Sequence, residues 1–273
     1  YMNSSLNTAV DSFIAREQLP AGYRLTVEQW FVPLAESILQ KASTSRRTLV
    51  VGISGTYDRQ AALDFVEQRF GHLPKVPFAP QGLPTHAPKL AQSERHEAVG
   101  EQAVVCVAYP HCGFGPDLVT AANVTEELLS GMASGLFRRV REEKGMAYFV
   151  GATRVEVVDQ GMFYLYAGTA PASAQEVVKE MRLELDRLRK GKFAPNEIED
   201  AKRRMRVARR QGRQSAGARM QGALVREVAG LGANFDVEWE RRMGLTDEAA
   251  VQAFAQRYLD ARFEQELIVL PKE

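Results

Sequence analysis

The sequence predicts an α+β fold: an antiparallel-rich sheet with helices packed on one face, in a domain that occurs twice with its first copy truncated. Three observations predict it. Ala147–Val157 and Met162–Ala167 are two runs rich in β-branched and aromatic residues, joined through Asp159-Gln-Gly161, which is a hairpin signal. The helical runs are segregated from this hairpin and from the outer strands instead of alternating with them. Leu25-Thr26 and Leu245-Thr246 each open a helix followed by a strand, with Leu49 lying 23 residues after Thr26 and Leu267 lying 21 after Thr246.

The elements follow in order. Val10, Phe13 and Ile14 suggest a helix that Pro20-Ala-Gly22 ends. Thr26 with Gln29 fits a capping box for a helix to about Lys41. Thr48–Ser54 reads as a buried strand and Gly55 breaks it. Asp58 caps a helix with Ala62, Phe65, Val66 and Phe70 on one face. Prolines at 74, 77, 80, 84 and 88 then predict an extended linker. The domains are accordingly residues 1–75, the end of a first α+β domain; 76–94, a Pro-rich linker; and 95–273, a complete second domain.

In that second domain Ala103–Tyr109 is a strand and Pro110–Pro116 a loop. Asp117 caps a long helix to Lys144, with Leu129, Met132, Leu136 and Val140 on one face. Gly145 suits a helix end that needs positive φ. Gly131 and Gly135, four apart in that helix, read as a close-packing face and not as a phosphate loop. Ser173 with Glu176 fits a second capping box, for a helix carrying Val177, Met181, Leu185 and Leu188. Pro195 starts another helix with Ile198, Ala201, Met205 and Ala208 inward, interrupted over Gln211–Gly222. Leu245-Thr246 opens the last helix, to about Tyr258, and Phe263–Leu270 is the closing strand.

Bulk properties exclude several functions. The net charge of +1 rules out a chain that binds nucleic acid as a whole, and no apolar run approaches the ~20 residues of a membrane span. No signal peptide is visible, and Tyr1 is not a natural start, so the chain reads as trimmed. The compartment stays open, cytoplasmic or periplasmic. Cys106 reads as core, and a Cys106–Cys112 bond is disfavoured. The histidines are His72, His86, His96 and His111, none at metal-ligand spacing with another; His111 and Cys112 flank a turn and read as a loop without metal.

Gly131-Met-Ala-Ser-Gly-Leu-Phe-Arg-Arg-Val-Arg-Glu-Glu-Lys-Gly-Met-Ala-Tyr148 resembles the signature of the C-terminal domain of pitrilysin/insulinase-type (inverzincin) zinc peptidases. Gly161–Thr169, Ala194–Lys202 and Thr246–Pro271 resemble the elements that follow it there, and Thr26–Phe70 resembles the end of the preceding domain. The resemblance implies paired α+β domains enclosing a peptide. One domain carries His-x-x-Glu-His, whose histidines and a later glutamate hold zinc while the first glutamate activates water. Its partner carries no metal and contributes an arginine and a tyrosine, which by motif position are Arg141 and Tyr148. No His-x-x-Glu-His occurs in this chain, so zinc is expected only in a missing or partner domain.

The resemblance therefore implies the substrate-binding, non-zinc portion of a zinc metalloendopeptidase; the alternative is an inactive family member acting as scaffold or partner subunit. The expected partners are a peptide, a domain or subunit bearing His-x-x-Glu-His, and a second copy of the chain where the truncated first domain leaves apolar surface bare. A phenol donates to a developing oxyanion, and a guanidinium holds a carbonyl or carboxylate by two contacts. The plainer alternative has Arg141 paired with a nearby glutamate and Tyr148 packed in the sheet. The basic stretch Lys202–Arg210, with Arg213 and Arg219, reads foremost as a solvated face, then as a surface attracting acidic peptides, and last as a nucleic-acid patch.

Overall fold

The computed structural model describes residues 50–72, 90–111, 119–156, 161–228 and 230–272. The chain divides into two units, Tyr1–Gln81 and Gly82–Glu273. The helix after Thr26, the prolines of the linker, the Asp117 cap, Cys112 and the turn at 157–160 lie outside the described residues.

In the first unit, helix α1 spans Arg59–Phe70 and Asp58 caps it, its carboxylate accepting the Ala61 N–H at 2.8 Å. Of the expected apolar face only Phe70 is buried. The described part of the expected strand at 48–54, residues 50–54, is not paired. A strand exists only where a neighbour takes up its backbone groups, and that unit offers none among the described residues.

The second unit is built on a five-stranded sheet in the order β1-β5-β2-β4-β3. The strands are β1 (Gln92–Ala98), β2 (Ala103–His111), β3 (Ala147–Glu156), β4 (Gly161–Thr169) and β5 (Gln265–Pro271). β1 runs parallel to β5; the other pairings are antiparallel, with Ala103 opposite Thr169 and His111 opposite Gly161. β2 therefore continues through Pro110, which sequence assigns to a loop. β1, Gln92-Ser-Glu-Arg-His-Glu-Ala98, is exposed throughout and starts inside the stretch read as linker. It carries no apolar alternation, so pairing with β5 alone makes it a strand.

The inner sheet face carries Val105, Val107, Tyr109, Phe163, Leu165, Ala167, Val150 and Ile268, all buried. Helices α2 (Val119–Leu129), α4 (Ala174–Arg189) and α8 (Glu248–Tyr258) cover it. The face of α4 is as expected: Val177, Met181, Leu185 and Leu188 are fully buried. Burying each such side chain contributes roughly 1.5–3 kcal/mol, which makes α4 the main source of helix-to-sheet adhesion. Helices α5 (Glu197–Gly212), α6 (Ala216–Val228) and α7 (Phe235–Leu245) complete the layer. α5 buries Ile198 and Ala201 while Ala208 is exposed, and the chain breaks before Ala216, as the small residues there predict.

Several local readings are corrected. The helix expected to run unbroken to Lys144 stops at Leu129, and Gly131 takes φ +77°, which a residue with Cβ disfavours. Met132 is 80% exposed at this break, not on a buried face. Ser173 makes no side-chain cap; a 3₁₀ turn over Pro171–Ser173 takes that place, and Glu176 pairs with Lys144. The last helix is capped by Asp247, whose carboxylate accepts the Ala250 N–H, while the Thr246 hydroxyl donates to Thr120. Cys106 is a free thiol only half-buried, because its neighbours Val105 and Val107 take the inward positions.

Candidate functional site

The stretch 130–150 builds a turn unlike an ordinary helix end. After the break at Gly131, the Ser134 hydroxyl accepts the Phe137 N–H at 3.0 Å and starts α3 (Gly135–Phe137). The helix then widens into π turns over Arg138–Glu143. Lys144 N–H donates to the Arg139 carbonyl at 3.1 Å, and Met146 N–H reaches the Val140 carbonyl at 2.9 Å. Gly145 at φ +60° reverses the chain into β3. The Thr169 hydroxyl of β4 donates to the Met146 carbonyl at 2.5 Å, tying the turn to the sheet. Widened turns shift the side chains around the axis and recur at functional sites.

Two cations of the turn reach carboxylates on one helix. Arg139 donates to Glu180 at 3.3 Å and Glu184 at 2.6 Å, and Lys144 donates to Glu180 at 2.6 Å. Glu184 is fully buried and also accepts from Arg187, which reaches on to Glu197. Burial by itself would push the Glu180 carboxyl up, but the hydrogen bonds from Lys144 and Arg139 outweigh it and hold it below the usual carboxylate range. These acids lie on α4, so the turn is braced against the most deeply packed helix. Gly135 lies against the Glu184 carboxylate, which a Cβ would meet at 3.4 Å.

Arg141 and Tyr148 face outward. Arg141 is exposed, lies 5.1 Å from the Phe137 ring centroid, and makes no ion pair among the described residues. Glu143 is paired with Arg138, and Glu180 and Glu184 with Arg139. Tyr148 is 57% exposed at an irregularity of β3, where the pairing steps from Ala147–Thr169 to Phe149–Gly168 and leaves Tyr148 between them. The plain alternative, a paired arginine and a tyrosine packed in the sheet, is not what the structure contains. The turn brings the two residues to its two ends.

Sequence reasoning missed the outer sheet face beside Tyr148. Phe149 tilts against Tyr166 at 6.1 Å between centroids, and Tyr166 against Tyr164 at 5.9 Å. Gly168 is required there, since a Cβ would stand 2.4 Å from the Phe149 ring. The signal was present: in Phe163-Tyr-Leu-Tyr166 the tyrosines fall on the face opposite the buried Phe163 and Leu165.

Zinc does not fit this chain's described residues. Among them no three His, Cys, Asp or Glu side chains gather as ligands. His96 sits on exposed β1, its Nε2 3.2 Å from Glu94, and not on a helix. No helix among the described residues is long and apolar enough to cross a membrane.

Comparison with known proteins decides the family. The Peptidase M16 inactive domain matches residues 44–205, more than half of the chain. The chain belongs to this family. An uncharacterized zinc protease of Streptomyces coelicolor is 30% identical over 210 residues, covering 74% of this chain and 44% of that protein. An uncharacterized zinc protease of Bacillus subtilis is 30% identical over 122 residues, covering 44% of this chain and 29% of that protein. The chain thus spans less than half the length of these relatives. The structure of a peptidase M16 inactive domain from Pseudomonas fluorescens superposes with a TM-score of 0.68 at 19% identity, covering 80% of this chain and 52% of that one. A protease from Helicobacter pylori superposes at 0.67 and 16% identity, covering 80% and 54%. The α+β M16 fold is shared, and the match to the inactive domain agrees with a pitrilysin-type C-terminal domain.

Proposed function

We propose that this chain is the substrate-binding, non-zinc portion of a zinc metalloendopeptidase, in which Arg141 and Tyr148 act on a peptide held jointly with a separate His-x-x-Glu-His domain. One observation carries the reading. On a turn where Glu180 and Glu184 take up Arg139 and Lys144, one guanidinium and one phenol are exposed and make no ion pair or side-chain hydrogen bond among the described residues.

The chemistry follows from the groups. The planar guanidinium of Arg141 can grip a peptide carbonyl or a carboxylate with two parallel N–H donors. The ring of Phe137 beneath it limits its rotamers, so less entropy is lost on binding. The Tyr148 phenol can donate to the oxygen that becomes negative as the peptide carbonyl turns tetrahedral. A donor of this kind contributes about 10²–10³ in kcat when it is set before the reaction. Phe149, Tyr166 and Tyr164 offer an adjacent aromatic surface for peptide side chains.

The test uses the full-length protein assembled with its zinc-bearing half. Tyr148→Phe is expected to lower kcat about a hundredfold, and Arg141→Ala to lower kcat/KM at least about tenfold. Unchanged peptide turnover in both variants, with unchanged thermal melting, would overturn the reading.

A further inference from the structure

A second set of arginines stands apart from the turn. Arg209 at the end of α5, Arg213 just beyond it, and Arg226 on α6 all converge on one carboxylate, Asp236 of α7. Arg209 and Arg213 both pair with its Oδ1, and Arg226 reaches Oδ2 at 3.3 Å. The Arg209 guanidinium also lies 4.3 Å from the Trp239 ring centroid. Three cations thus share one anion, a surplus of two positive charges.

Two neighbouring acids are taken up elsewhere: Glu240 is paired with Arg206, and Glu238 with Arg241 and Arg242. Arg226 Nε is buried and has no hydrogen-bond partner. Arg209 is held below the usual arginine range first by burial and then, against the pull of Asp236, by repulsion from Arg226 and Arg213. Buried like charges raise one another's energy unless a counter-charge sits among them. α6 buries none of its residues, and Arg226 links it to α7 through Asp236.

We propose that Arg209, Arg213 and Arg226 form a binding site for a small multivalent phosphate anion, which joins Asp236 as the second counter-charge and fastens α6 in place. Guanidinium forks match phosphate oxygens with paired N–H donors. This site shares no residue with the turn of Arg141 and Tyr148.

Pyrophosphate titrated by calorimetry into the full chain at low ionic strength is the probe, with Trp239 emission as a second readout. One equivalent is expected to bind and to alter that emission through Arg209. Arg213→Gln is expected to weaken binding at least about tenfold, the loss of one charged hydrogen bond. Arg210→Gln removes the same charge from an exposed site on α5 and should change binding by less than about twofold. Asp236→Asn should tighten it, since the competing carboxylate is gone. Absence of saturable binding, or equal weakening in the two arginine variants, overturns the site.

Discussion

Two arginine-rich regions of this domain use their charge differently. In the turn at 138–144, acids from α4 meet Arg139 and Lys144, and Arg141 is exposed with no ion pair among the described residues. At the α5–α7 junction three guanidiniums crowd a single Asp236 and none is free. The difference lies in the supply of partners. α4 presents Glu176, Glu180 and Glu184 at spacings of four, one ridge of carboxylates along a buried helix. α7 presents one acid to the junction. A matched network braces a turn and releases one side chain for contact; an unmatched one stores repulsion that an anion can relieve.

This contrast can be broken first at its most buried member. Glu184→Ala would leave Arg139 and Arg187 without their shared carboxylate, at a cost of about 3–5 kcal/mol. A chemical denaturation midpoint read beside that of the unchanged protein measures it, and a loss below about 1 kcal/mol would show that the network is not bracing the turn. Next in size is Gly145→Ala. The added Cβ meets no atom within 4 Å, so only the backbone at φ +60° resists, costing about 1–2 kcal/mol. Its effect on turnover should exceed its effect on melting, because both proposed contact residues hang from this turn.

The acid side of the comparison is smaller. Glu180 titrates below the usual range in the folded protein, so its contribution is present above the unfolded value and lost as pH falls through the folded one. The melting temperature of the protein should therefore decline below about pH 4.5. Glu180→Gln should flatten that decline; an identical slope in the variant would remove Glu180 from the brace. The smallest expected effect is Arg141→Ala on stability, within about 0.5 kcal/mol, as suits an exposed side chain with no ion pair. A larger loss would mark Arg141 as structural and return it to the class of Arg139.

The basic stretch on α5 shows why the sequence underreads such regions. It was expected foremost as a solvated face, yet Lys202 is buried, bonded to Glu199 at 2.7 Å and to the Thr246 carbonyl at 3.0 Å. Arg204 reaches Glu127, and Arg206 reaches Glu240. Apart from Glu199, three residues before Lys202, those partners lie tens of residues away, beyond any local charge pattern. Likewise the unbroken helix to Lys144 scored well on apolar spacing, but Gly131 and Ser134 supplied a stop and a cap that spacing does not weigh.

By itself the sequence determined what short-range physics controls. The hairpin of β3 and β4 follows from apolar, β-branched and aromatic runs, the buried face of α4 from its period, and the reversal at Gly145 from the one residue that accepts positive φ without strain. It also held the motif that marks the family. The tertiary structure alone decided the rest. β1 is a strand only because β5 pairs with it, and the acids of α4 meet Arg139 and Lys144 while Arg141 makes no ion pair among the described residues. Ladder bonds and ion pairs join groups far apart in the chain, so their outcome depends on which partners the packing delivers.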